Sequence, residues 1–395
     1  MKLETVNGRI FAVVGAGLIF LSPLLGCRPD TAGHSLPRTV DRLLVHKPTG
    51  RYACTLTGSV TRAAPIFVGD AHNGLLARTR PADGELDHSW SWSADGKSLF
   101  FRRLRYNGPQ QWAVSYWVLR VEEGEELPFS LPGPDNVTGM GPDEILTDGS
   151  AVSNVFSESE ASGHRLLWLR KVTDSYETVR LQLDVPDSAV WRVLWKGVTS
   201  DGLLRLVLDR SAPDAGPIAP ASFWYAEFRD GVQLCLDQIV DVPEDIRNAA
   251  VSPDGTLLAA IVEQEGYGQE IILADVTTGS APRRLTIQDQ DRVHGMQFSP
   301  QGDQLLLWAA GSRVWKPEWG WYNLYVAPVG SGKIFPLSVP RSIPNLSDCA
   351  WISETELLIG VDGKGIARYR IGSNECDYVA KMPFAPDVPA TYELD

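Results

Sequence analysis

Two histidines, an arginine and a serine recur at one place in a repeating pattern, and they are the side chains of this chain best suited to chemistry. His88, Arg247, His294 and Ser347 each stand about eight residues ahead of a turn residue, respectively Gly96, Gly255, Gly302 and Thr355. Asp87, Asp245, Asp291 and Arg292 lie close by. Imidazoles on facing elements, with a carboxylate beside them, could complete a metal site, because both are ordinary ligands of borderline divalent ions. Two histidines without a third ligand are better read as the polar lining of a wet opening, so no metal and no other cofactor is expected. A second feature is aromatic: Trp315, Trp319, Trp321 and Tyr322 fall within eight residues, together with Lys316 and Glu318. A similar stretch runs from Arg102 through Arg103, Arg105 and Tyr106 to Trp112. Flat rings beside charged groups stack on sugars and anchor protein interfaces. Large aromatics also brace one sheet against the next, and packing is the favoured account of these tryptophans.

Other chemistry is absent at the level of motif. No phosphate-binding glycine loop, no nucleophile with a placed base and no cysteine-histidine metal pattern occurs. The carboxylate pairs Glu122-Glu123 and Glu125-Glu126 read as the solvated end of a hairpin. Beyond Cys27, Cys54, Cys235, Cys349 and Cys376 match no zinc spacing and are read mostly as buried small hydrophobes.

The elements that must position these residues are repeated hairpins. Trp90-Ser-Trp-Ser-Ala-Asp-Gly-Lys-Ser-Leu-Phe-Phe101, Ala250-Val-Ser-Pro-Asp-Gly-Thr-Leu-Leu-Ala-Ala-Ile261 and Gln297-Phe-Ser-Pro-Gln-Gly-Asp-Gln-Leu-Leu-Leu-Trp308 are three copies of strand, tight turn and strand. Serine, proline, aspartate and glycine favour the turn, and the flanking short apolar runs favour strands. Weaker copies centre on Gly50, Gly163, Gly202 and Thr355, giving seven markers at steps of 46, 67, 39, 53, 47 and 53 residues. Such steps bracket the length of a four-stranded propeller blade, about 40 to 50 residues. The long step is assigned to an extended loop over Leu127 to Gly149. Further strands follow each hairpin, as in Glu270-Ile-Ile-Leu-Ala-Asp-Val-Thr-Thr-Gly279 with Arg283-Arg-Leu-Thr286, and Asn323-Leu-Tyr-Val-Ala-Pro-Val-Gly330 with Lys333-Ile-Phe-Pro-Leu337. No long stretch carries helical periodicity with caps.

A Phe-Ser-Pro-Asp-Gly-like hairpin, an apolar strand ending in Asp-x-Thr-Gly and an Arg-Leu-Thr strand together resemble the TolB-type, WD-like β-propeller repeat, shared with the propellers of prolyl peptidases. The likeness is strongest from Ala249 to Leu337 and weakest from Gly108 to Val242. It implies an all-β fold, a closed propeller of seven blades over residues 45–383, with six or eight as alternatives, and a loose tail over 384–395. In that geometry His88, Arg247 and His294 gather at one mouth of the central channel, and the loop carrying Trp315, Trp319, Trp321 and Tyr322 opens on the same face. The α/β domain that TolB carries ahead of its propeller has no counterpart here, nor does the Gly-x-Ser-x-Gly elbow of the peptidases. Neither activity transfers.

The first 26 residues read as a signal peptide, with Lys2 and Arg9 ahead of an apolar run, Ile10 to Leu25. That run is shorter than the ~20 residues needed to span a bilayer as a helix. Leu24-Leu25-Gly26-Cys27 resembles the bacterial lipobox, which implies a lipid on Cys27, a tether over 27–44 and membrane contact through the lipid alone. Without residues 1–26 the 36 basic and 49 acidic residues become 34 and 48, a net charge of −14. Such a surface repels phosphate backbones, so nucleic acid is not an expected partner. The reading at this level is a lipid-anchored envelope propeller, periplasmic or at the cell surface, that binds a protein or a glycan and is not an enzyme. The alternative is a channel-sited polysaccharide lyase or hydrolase.

Overall fold

The computed structural model describes residues 40–56, 65–93, 95–108, 111–129, 144–145, 151–155, 165–172, 175–183, 190–199, 201–211, 219–263, 269–278, 280–286, 292–310, 322–338, 346–361, 364–373 and 375–381. All belong to one compact unit, Pro37–Asp395. Cys27, Trp315, Trp319 and Trp321 lie outside the described residues, as do the expected signal peptide and the tail. The first strand, Val40–His46, begins inside the stretch expected to be tether.

Among the described residues every regular element is a strand, and the strands form six antiparallel sheets, five of four strands and one of seven. Within each sheet the order follows the chain. The seven-stranded sheet divides naturally at one long strand, Val232–Val251. Its first half pairs with Ala219–Arg229 and its second half with Leu257–Glu263, while Asp245 and Ile246 pair on both sides. Counting that strand twice gives seven four-stranded blades, at residues 40–78, 85–128, 144–182, 190–240, 245–286, 292–336 and 346–381.

The expected turns form because a positive φ is needed and glycine supplies it. Gly50, Gly96, Gly202, Gly255 and Gly302 lie at φ 66 to 80°. In four of these turns a serine or threonine hydroxyl accepts the amide that starts the second strand: Ser93 from Ser98 (2.9 Å), Thr199 from Leu203 (3.0 Å), Ser252 from Leu257 (2.9 Å) and Ser299 from Gln304 (3.2 Å). The hydroxyls of Ser93 and Ser252 then donate to Asp95 (2.7 Å) and Asp254 (2.6 Å). At Asp95 the Lys97 amide and Ser93 hydroxyl hold the carboxyl below its ordinary range. At Asp254 burial pushes upward, but the Ser252 and Thr256 hydroxyls and the Thr256 amide outweigh it, again lowering the carboxyl. A carboxyl with a depressed folded pKa stabilises the fold above its unfolded pKa, about 4, and that contribution is lost as pH falls through the folded pKa. The melting temperature of Asp95→Asn/Asp254→Asn is therefore expected to fall less steeply than wild type below about pH 4. Thermal melts across that range check this, and parallel curves would count against it.

One marker differs from its expected position. The third blade runs Glu144–Ile145, Ala151–Val155, Arg165–Val172 and Ser175–Gln182, so its first connection contains Gly149, and Gly163 falls between the second and third strands. With Gly149 as the marker, the irregular steps of 67 and 39 residues become 53 and 53. The expected extended loop thus contains the first strand of a blade.

Blades pack face to face, and each second strand has a neighbour on both sides. This explains why Leu257–Glu263 and Glu356–Val361 are almost continuously apolar and buried rather than alternating. Core clusters fill the seams between blades 1 and 2, 3 and 4, 4 and 5, 5 and 6, 6 and 7, and 7 and 1. The last of these closes the ring. Val40, Leu43 and Tyr52 of blade 1 pack on Ala350, Ile352 and Leu358 of blade 7. Asp348 accepts the Leu43 amide at 2.7 Å, and Arg368 Nη1 donates to His72 Nδ1 at 2.8 Å. Lys47 reaches past blade 7 to the Phe298 carbonyl of blade 6, 3.4 Å away, and burial lowers its amine to about 8 against the pull of Glu354. Cys54 and Cys349 are buried and Cys235 and Cys376 half-buried, all as free thiols. Burial pushes the Cys54 thiol up to about 12.

Candidate functional site at the loop end of the inner strands

The first strands of neighbouring blades contact one another, Val40–His46 against Leu346–Ser353 and Val232–Val251 against Arg292–Phe298, which places them innermost. Five of them finish at a turn with a positive-φ glycine and that of blade 7 at Thr355, and this end is here called the turn end. The opposite end, where the chain enters these strands from the outermost strand of the preceding blade, is the loop end.

Near the loop end the inner strands share an irregularity. The pairing skips one residue between Val40 and Arg42, His88 and Trp90, Val193 and Trp195, Ile246 and Asn248, Val293 and Gly295, and Leu346 and Asp348. Asp41, Ser89, Leu194, Arg247, His294 and Ser347 are therefore the bulged residues of six blades, 7 to 9 positions ahead of the marker. A bulge bends its strand and re-aims a side chain, and bulges concentrate beside binding sites. Three residues singled out by the sequence, Arg247, His294 and Ser347, occupy equivalent bulges in consecutive blades. His88 does not. It stands one residue before the bulge at Ser89, in register with Ile246, Val293 and Leu346, because the strand Ser98–Gly108 sets the pairing one position nearer the turn. His88 and His294 are both half-buried. Tyr322 begins the strand Tyr322–Pro328 at its loop end.

The strand that carries His294 is fixed firmly. Arg292 pairs with Glu263 of blade 5, and Gln269 Oε1 accepts the Val293 amide at 2.7 Å. The Trp308 indole covers Gly295, where a Cβ would lie 2.1 Å from Trp308 Cζ2. Gly295→Val is expected to displace the indole and destabilise the chain by about 1–3 kcal/mol. Urea unfolding measures this, and an unchanged midpoint would refute the steric argument.

Tryptophans outside the aromatic loop act as braces. Trp92 of blade 2 donates its indole N–H to the Leu44 carbonyl of blade 1 (3.4 Å), Trp351 of blade 7 to Gln297 of blade 6 (3.2 Å), and Trp195 of blade 4 to Pro253 of blade 5 (3.4 Å).

A polar cluster that the sequence did not reveal sits at the loop end of blade 2. The Arg103 guanidinium donates to both oxygens of Asp87, at 2.7 and 3.0 Å, and to Glu126 Oε2 at 2.8 Å. Glu85 Oε2 is 3.9 Å from Arg103 Nε, and the Trp117 ring lies 4.8 Å from the guanidinium carbon. Desolvation works against the Arg103 charge, but Asp87 and Glu126 outweigh it and hold the cation. Burial raises the Asp87 carboxyl, with Arg103 and Thr79 opposing. Glu126 is thus no part of a solvated hairpin end, although Glu122, Glu123 and Glu125 are exposed as expected. The signal was present as Glu85-x-Asp87, two carboxylates on one face of a strand, but their cation comes from the next strand. Among the described residues no group of three or more potential ligands could hold a metal ion.

No sequence-family profile matches the chain, and no curated protein matches it. Solved structures do. A prolyl endopeptidase superposes with a TM-score of 0.54 at 13% identity, covering 86% of this chain and 49% of its own. TolB from Acinetobacter baumannii gives 0.41 at 14%, covering 76% and 63%, and a puromycin hydrolase 0.48 at 17%, covering 73% and 46%. The chain spans about half the length of the prolyl endopeptidase, and at such identity the likeness is one of fold. By its sheet order, its blade-on-blade packing and this likeness, the chain is a β-propeller.

Proposed function

We propose that the propeller is a binding module of the cell envelope, anchored by a lipid on Cys27, whose loop end engages a protein or a glycan without turning it over. The observation that carries the reading is the set of bulges near the loop end of six inner strands, all 7 to 9 residues ahead of the turn marker. The bulged residues are Asp41, Ser89, Leu194, Arg247, His294 and Ser347, five polar and one apolar. A rigid ring that presents polar side chains and loops at one end suits recognition. A photo-crosslinking residue at position 294 or 247 is expected to capture one discrete partner in cells, and the same residue at turn-end position 254 is expected to capture none. Glycan binding by purified protein, lost in Arg247→Ala and His294→Ala, would support the reading equally. Capture from both ends alike would sink it. So would turnover of a polysaccharide that disappears in His88→Ala and in His294→Ala, since that outcome identifies an enzyme. The anchor has its own test: Cys27→Ser is expected to move the protein from the membrane to the soluble fraction and to abolish incorporation of labelled fatty acid.

A further inference from the structure

The charged cluster of blade 2 also holds a piece of connecting chain. Residues 79–84 lead from the outermost strand of blade 1 to the innermost strand of blade 2, at the loop end. The Thr79 hydroxyl donates to Asp87 and accepts the Ile66 amide at 2.8 Å. The Arg80 amide donates to Glu126 Oε1, and the Ala82 amide to Glu85 Oε2 at 3.0 Å. Three carboxylates from two strands therefore grip one short connection, and a single guanidinium, Arg103, ties them together. Other charged or titratable groups on these strands and on or beside the connection include His88 and Arg102, paired with each other in register, Arg105, paired in register with Glu85, and Arg78, Arg80 and Asp83.

We propose that Asp87, Arg103 and Glu126 form an acid-operated latch, which holds the connection 79–84 onto blade 2 at neutral pH and releases it when the cluster takes up a proton. A proton on Asp87 turns an acceptor of three hydrogen bonds, two from Arg103 and one from Thr79, into a group that must itself donate. Arg103 is then drawn toward Glu126 and Glu85, and the Thr79 hydroxyl loses its charged partner. Because burial raises the Asp87 carboxyl, the folded chain takes the proton before the unfolded chain does. This group's contribution to stability then rises as pH falls through that window. Release accordingly happens within a folded molecule, which separates a latch from acid denaturation.

Amide hydrogen exchange of the full chain tests this. Between about pH 7.5 and the lowest pH at which the chain stays folded, after correction for intrinsic rates, the amides of Arg80 and Ala82 are expected to lose protection at least about tenfold, as for a broken charge-assisted contact. The amides of Val68 and Leu99 should stay protected and the melting temperature should not fall. Asp87→Asn, which imitates the protonated carboxyl, is expected to exchange fast at both pH values. If that variant does not fold, the wild-type comparison and Glu126→Gln, which should weaken the hold on Arg80 at neutral pH, still decide. Equal protection of 79–84 at both pH values overturns the proposal, and so does loss of protection only together with Val68 and Leu99.

Discussion

Arg103→Met is expected to destabilise the chain by about 3–5 kcal/mol at neutral pH, the loss typical of a buried ion pair stripped of one partner. The reasoning turns on what remains. Arg103 and Asp87 have side chains 8% and 0% exposed and Glu126 is at 12%, so removing the guanidinium leaves Asp87 without its counter-charge or water and Glu126 without its cation. Surface pairs behave differently. Arg120 and Glu125, 3.5 Å apart and both about half exposed, lie in the class that contributes roughly 0–1 kcal/mol, so Arg120→Ala should be close to neutral. Adding Asp87→Asn to Arg103→Met removes one stranded charge and should recover part of the loss. Equilibrium unfolding in urea of the three variants measures all of this, and an Arg103→Met protein within about 1 kcal/mol of wild type would show that the carboxylates find water instead.

Trp351→Ala is expected to destabilise by a similar amount, about 3–5 kcal/mol, through the cavity left in the seam between blades 6 and 7. Trp351 is fully buried among Leu306, Leu324, Leu357 and Ile359. It also carries two contacts to one residue of blade 6, with its indole N–H on the Gln297 carbonyl and its own amide on Gln297 Oε1, both 3.2 Å. Trp351→Phe keeps most of the apolar contact and strands the Gln297 carbonyl, so it should cost nearer 1 kcal/mol. If the two substitutions proved equal, the indole hydrogen bond and not the packed volume would be holding the seam.

What was legible in the sequence was what is decided locally. Gly96, Gly255 and Gly302 need a positive φ whatever surrounds them, and the hairpins around them stand where their spacing put them. From these the all-β class followed, while the count of seven rested on all seven markers, Gly163 among them. The third blade was misread because its inner strand, Glu144–Ile145, is too short to show periodicity, so Gly163 was taken for the turn glycine in place of Gly149. The site was legible in part for the same reason. Arg247, His294 and Ser347 keep a constant distance from the turn, whereas the bulge at Ser89 depends on how its strand pairs with the next, which nothing within Glu85–Trp92 reveals. Asp87 and Arg103, 16 residues apart, meet because their strands pair, while Glu126, 23 residues beyond Arg103, reaches it from two strands away, and no local pattern announces such a meeting.

The long strand Val232–Val251 makes the ring unequal around its circumference. Among the described residues no other strand is shared by two sheets, and the hydrogen bonds that join other blades, such as those of Asp348, Trp92 and Trp351, involve side chains. A circular permutant opened between blades 5 and 6, within 287–291, should therefore reassemble, since every sheet stays whole. One opened at 241–244 cuts the single strand that both sheets share and parts two blades that the backbone had welded, and that break is the one the fold is least equipped to mend.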